Sequence, residues 1–134
     1  DQLMSSIDGI FVCGNSLHVH DLVDFVTIEG MHAGMHAASY IKQKTAHTQH
    51  IPLIAGHLIS YVLPQRIMVG ELKALTLHYR VKKPLEKVTV LLKQGDKTIL
   101  SKKKLFLLPA EMEQMDFDKN LLVTNEPITL EIKR

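Results

Sequence analysis

Tryptophan is absent from this chain and cysteine occurs once, at Cys13. A lone cysteine excludes an internal disulfide and a CxxC redox pair, and it suits a reducing, cytoplasmic compartment. No apolar run approaches the ~18 to 20 residues of a membrane-spanning helix. The first residues, "DQLMSSIDG", have neither a basic segment nor an apolar one, and so do not read as a signal peptide. Two catalytic signatures are also missing. There is no HExxH, and neither "GELKALTL" nor "VLLKQGDK" supplies the G-x-G-x-x-G of a dinucleotide-binding βαβ unit. No internal repeat is present, and "SKKK" is the only biased run.

What is there is an ordinary globular composition, 46% hydrophobic and 22% charged, which argues against disorder. The net charge of +2 is unevenly placed. Residues 1–57 carry a net −3 and seven of the eight histidines, and residues 58–134 carry a net +5. Two such compositions imply two structural units. The basic surplus is mixed with acids and no nucleic-acid-binding motif accompanies it, so it reads as a solvated face, with no nucleic-acid partner expected.

"GIFVCG" (9–14) is a β-branched and aromatic run closed by glycine, and reads as a buried parallel strand. From about Asp21 to Lys42 the apolar residues recur with helical period, interrupted by Gly30 and Gly34, which permit a close neighbour at some cost in propensity. "KQKTAHTQHIP" (42–52) is polar and ends in proline, as a linker does. Beyond it the period changes to two. Leu75, Leu77, Tyr79 and Val81 alternate with polar residues, as do Val88, Val90 and Leu92. "QGDK" turns into "TILSKKKLFLL", and Ile128, Leu130 and Ile132 share a face near the end. With "HLISYVLP" these are six or seven short strands at the spacing of a β-sandwich or barrel, and the lysines of "SKKK" suit an edge strand. The expected fold class is α+β: a strand-helix segment over 1–45, a linker over 46–57, and an antiparallel β-sandwich-like unit over 58–134.

A short strand that ends in glycine and leads through a polar residue into a helix places that residue at a sheet's carboxyl edge, where open α/β folds bind ligands. The amides and partial positive charge of the helix N-terminus suit an anionic or polar group. Asn15 can donate and accept there. An ordinary strand-turn-helix with Asn15 as turn former explains the same residues equally well.

The stretch "IDGIFVCGNSLHVHDLVDFVTIEGMHAGMHAA" resembles the C-terminal flavin-contacting segment of the pyridine-nucleotide-disulfide oxidoreductase superfamily, in its thioredoxin-reductase-like branch. "GNSLHVHDLVDFVTIEG" is most similar to FAD-dependent oxidoreductases related to the large subunit of anaerobic glycerol-3-phosphate dehydrogenase and to hydrogen cyanide synthase and opine oxidase subunits. The resemblance covers about residues 7–42. Residues 58–116, with "YVLPQRI", "YRVKKP" and "LLPAEM", resemble the β-rich extension of some bacterial members, less specifically. The resemblance implies that Gly14 lets the chain approach FAD and that Asn15 stands where the family commonly has an aspartate accepting from the flavin ribityl chain. Asn keeps the acceptor and lacks the charge. It implies that Val23, Asp24 and Phe25 lie near the pyrimidine end of the isoalloxazine, and that Gly30 and Gly34 are the small residues of the helix packing there. It further implies that the chain is the C-terminal end of a larger flavoprotein whose upstream domains bind FAD and, in most members, NAD(P)H. Alone, the chain would hold no FAD and catalyse nothing. A partner subunit or a second copy is a further expectation.

The histidines admit other chemistry. His18, His20 and Asp21 are neighbours, and His32 and His36 share a helical face, a donor set a first-row metal accepts. The two clusters need not converge, and the resemblance accounts for the H-x-H-D segment without a metal, so no metal site is expected. In an intact enzyme His18 or His20 is a candidate acid/base, against the plainer reading of a hydrogen bond at the turn. Cys13, Met31 and Met35 read as packing residues. The alternative function is a non-catalytic interaction or oligomerisation module, in which the β-rich half docks a partner.

Overall fold

The computed structural model describes residues 2–43, 49–68, 74–122 and 124–134. The chain divides into two compact units, Asp1–Thr48 and Gln49–Arg134, and it is mostly β with a small helical part.

Unit 1 is built on one helix, α1, over Val23–Gln43, two residues inside the expected start. The segment before it differs from expectation. Residues 9–14 do not form a buried parallel strand. Residues 10–12 return antiparallel on residues 3–5 through a single bridge, Met4 with Phe11, closed by Ser5 N–H to the Ile10 carbonyl (2.7 Å) and Val12 N–H to the Leu3 carbonyl (2.8 Å). The β-branched residues of "GIFVCG" therefore favour extended backbone, and the chain offers them a local hairpin partner. Tyr40 of α1 meets Phe11 edge to face, with ring centroids 6.0 Å apart. Cys13 is half-buried rather than a core residue.

Unit 2 contains eight strands among the described residues: β1 His50–Ala55, β2 Ile59–Leu63, β3 Arg66–Met68, β4 Ala74–Val81, β5 Leu85–Gln94, β6 Lys97–Leu107, β7 Glu113–Asp118 and β8 Ile128–Lys133. They form a five-stranded sheet in the order β3-β1-β8-β5-β6 and a three-stranded sheet in the order β2-β4-β7. Two details depart from the sequence reading. Part of the expected linker is β1, whose Ile51 and Leu53 are buried between β3 and β8; His50 and Pro52 on its other face disguise the alternation. The sheet is also not wholly antiparallel, since β1 runs parallel to β8, with Leu53 opposite Ile128 and Ala55 opposite Leu130.

Both sheets feed one apolar cluster. Ile51, Ile67, Val90, Leu92, Ile128 and Leu130 come from the larger sheet, and Ile59, Leu77, Tyr79, Val81, Met115 and Phe117 from the smaller. The period-two pattern produces this directly, because alternate side chains of a strand share a face. The longest hairpin, β5 to β6, turns at Gly95, whose φ of +55° is costly for any residue with a Cβ, and a Cβ there would also meet Glu126 Oε2 at 2.8 Å. β6 is an edge of its sheet, and Lys102 and Lys103 stand exposed along it, which discourages pairing with another chain.

Among the described residues Tyr79 is the one large polar-tipped side chain in this core. It is fully buried, and its hydroxyl has no hydrogen-bond partner among the described residues. Burial first, and the Glu113 carboxylate second, push its phenol far above the ordinary value of 10.0. An acid whose folded-state value is raised leaves stability untouched below its unfolded value and removes it as pH climbs beyond. Tyr79→Phe is therefore expected to gain about 1 kcal/mol at neutral pH, because an unpaired buried hydroxyl disappears. The advantage over the parent should widen above pH 10. Urea unfolding across pH 7 to 10.5 reads both effects, and a variant less stable than the parent at neutral pH would show that the hydroxyl is satisfied.

Candidate functional site

The polar chemistry of unit 1 gathers where the chain turns into α1. Cys13 is extended, and Gly14–Ser16 make one 3₁₀ turn, closed by Leu17 N–H to the Gly14 carbonyl at 2.9 Å. Gly14 is buried at φ +63°, and a Cβ there would press on Val26 Cγ1 at 3.3 Å. Turn and helix thus touch at Gly14 for want of a side chain.

Glu29 fastens them. Its Oε2 accepts the Gly14 N–H at 2.6 Å and lies 3.0 Å from His20 Nε2, and its Oε1 lies 3.0 Å from His18 Nε2. The histidine side chains are 3% exposed and the carboxylate 12%. His18 and His20, two residues apart, bring their rings together with centroids 4.2 Å apart, and the intervening Val19 faces out at 63% exposure. Burial raises the Glu29 carboxyl, but the hydrogen bonds from His20, His18 and the Gly14 amide, with the charge of His18, outweigh it and hold the group below its ordinary value of 4.5. Nδ1 of His20 is buried without a hydrogen-bond partner among the described residues.

The residues expected at a site fall into two sets. His18 and His20 are brought together, and Gly14 joins them through its amide. Asn15, Val23 and Asp24 lie exposed around the turn and the start of α1, and Phe25 is half-buried. Asn15 Oδ1 receives only a long contact from His20 N–H, at 3.5 Å. His32 is exposed on the helix and does not join the His18–His20 pair. Gly30 and Gly34 have open space where a Cβ would sit, so among the described residues nothing packs close on them. Glu29 was not singled out by the sequence reading. Its signal was its place on the helical stripe of Val26 and buried Ala33, where a carboxylate needs a partner.

No family model, curated protein or solved structure matches the chain. Among the described residues no helix is long and apolar enough to cross a membrane.

Proposed function

We propose that unit 1 is the flavin-contacting turn and helix of an FAD-dependent oxidoreductase, with unit 2 as its β-rich, sandwich-like accessory domain. The observation that carries this reading is the turn itself. Gly14–Ser16 is fastened from behind by Glu29, and on its outer side Asn15, Val23 and Asp24 stand exposed at the N-terminal end of a 21-residue helix. The first amides of any helix lack intrahelical partners, and the end carries partial positive charge, so this edge suits a polar or anionic group.

The residues present fit FAD with one adjustment. Asn15 has an exposed acceptor for a ribityl hydroxyl, and Val23 and Asp24 offer helix-end backbone to the pyrimidine edge. The Gly14 amide is committed to Glu29, so Gly14 shapes the turn rather than donating to the cofactor. The open faces of Gly30 and Gly34 leave room for a neighbouring backbone. Ile7, Ile10, Val19, Leu22, Val23, Ile28, Met31, Met35 and Ile41 are all at least 49% exposed, the surface of an element belonging to a larger apolar core. FAD, when bound, supplies the hydride or electron transfer. The chain's own part is to hold the ribityl and the pyrimidine edge in place. NAD(P)H and a partner subunit belong to the same reading, through segments that carry the missing dinucleotide fingerprint.

The test is the intact gene product. It is expected to show bound flavin absorption, while the 134-residue chain alone is colourless after gel filtration. In the intact product Asn15→Ala should weaken FAD about tenfold to a hundredfold, since a buried cofactor hydroxyl left unpaired costs ~1–3 kcal/mol. Asn15→Asp, which keeps the acceptor, should retain most of the affinity. An intact gene product without flavin overturns the reading, and tight FAD retention by Asn15→Ala removes Asn15 from the site.

A further inference from the structure

We propose that His18, His20 and Glu29 form a binding site for one divalent first-row transition-metal ion, of the zinc or iron(II) class. This stands independently of the flavin reading. The donor set is two imidazole nitrogens and a carboxylate, the types such ions prefer. Their ligand atoms lie within 4.8 Å of one another. Each Nε2 is 3.0 Å from a Glu29 oxygen. Bonds of about 2.1 Å put neighbouring donors about 3.0 Å apart at octahedral angles and about 3.4 Å apart at tetrahedral ones, so side-chain rotations that part the imidazoles from the carboxylate would admit an ion.

Two further features favour a site over a chance cluster. The donors come from two separate parts of the unit, the 18–20 segment and α1, and the Gly14 amide orients the carboxylate as an outer-shell donor does. The side chains are almost wholly withdrawn from water, so ordering them costs little on binding. The protein supplies three ligands, and water completes the coordination, as in open zinc sites.

Zinc and cobalt(II) are the probes, titrated into the metal-stripped 134-residue chain by calorimetry and visible absorption. One ion per chain is expected, with the ring signals of His18 and His20 shifting in nuclear magnetic resonance as zinc is added. His18→Ala, His20→Ala and Glu29→Gln should each lower affinity at least about tenfold. His32→Ala, on the exposed helix face, should leave it unchanged. Absence of binding by the unaltered chain overturns the proposal, as does binding that survives these three substitutions or is lost with His32→Ala. Should a substituted chain unfold, the ring shifts of the unaltered chain decide: shifts at His18 and His20 support the site, and shifts confined to other histidines overturn it.

Discussion

Leu92→Ala is expected to destabilise unit 2 by about 2–5 kcal/mol, the cost of a leucine removed from a packed core with incomplete collapse around the cavity. Leu92 is fully buried in β5 and lies opposite Leu100 of β6 on one side and Leu130 of β8 on the other. The loss is felt by three strands at once. For a unit of this size each kcal/mol moves the midpoint by roughly 4–8 °C, so the melting temperature should fall by about 10 °C or more. Leu105→Ala is the matched control. Leu105 is 71% exposed on the edge strand β6, and its removal should stay within about 0.5 kcal/mol. Equal losses from the two substitutions in urea unfolding would show that the centre of the sheet is not where the cohesion lies.

The second large effect is in unit 1, at Glu29. Glu29→Ala leaves the Gly14 amide and two buried imidazoles without their shared acceptor. Each buried donor left unpaired costs ~1–3 kcal/mol, so a loss of about 3 kcal/mol or more is expected. That is a large fraction of what a unit this small can hold. The consequence should be local. The Gly14–Ser16 turn should detach from α1, raising the amide exchange rate of Gly14 by about a hundredfold for the first ~3 kcal/mol. Unit 2 has its own core and should melt unchanged. Glu29→Gln keeps one carbonyl oxygen and should lose less. Protection of the Gly14 amide in Glu29→Ala equal to that of the parent would mean that packing of Val26 on Gly14, rather than the carboxylate, holds the turn.

How far these features were legible in the sequence depends on where each partner lies. The β5–β6 hairpin was readable because its alternation, its Gly95 turn and its pairing are all local. β1 was not, since Pro52 and His50 look like linker residues until β3 and β8 are known to lie on either side of Ile51 and Leu53. The "GIFVCG" run was read as a buried parallel strand, whereas only Phe11 within it makes a bridge, antiparallel to Met4, and Gly9 and Gly14 at its ends take positive φ. Composition reports backbone preference, while the partner, here residues 3–5, is a matter of tertiary context. His18 and His20 announced themselves as a pair by their spacing. Their acceptor did not, because Glu29 lies eleven and nine residues away on another element, and only the helical stripe of Val26 and Ala33 hinted that it turned inward.

The position of β8 constrains how this protein can be made. The strand that follows all the others in sequence sits in the middle of the larger sheet, between β1 and β5. A ribosome releasing the chain from its beginning therefore exposes β1, β3, β5 and β6 before the piece that joins them exists. Until Ile128–Lys133 emerges, β1 with β3 and β5 with β6 are separate ribbons, each showing apolar side chains and an open backbone edge to solvent. Closing the sheet is then a single late insertion over a long sequence separation, the kind of step that is slow. A nascent chain interrupted a few residues short would be left as two unjoined halves, a natural substrate for chaperones and proteases.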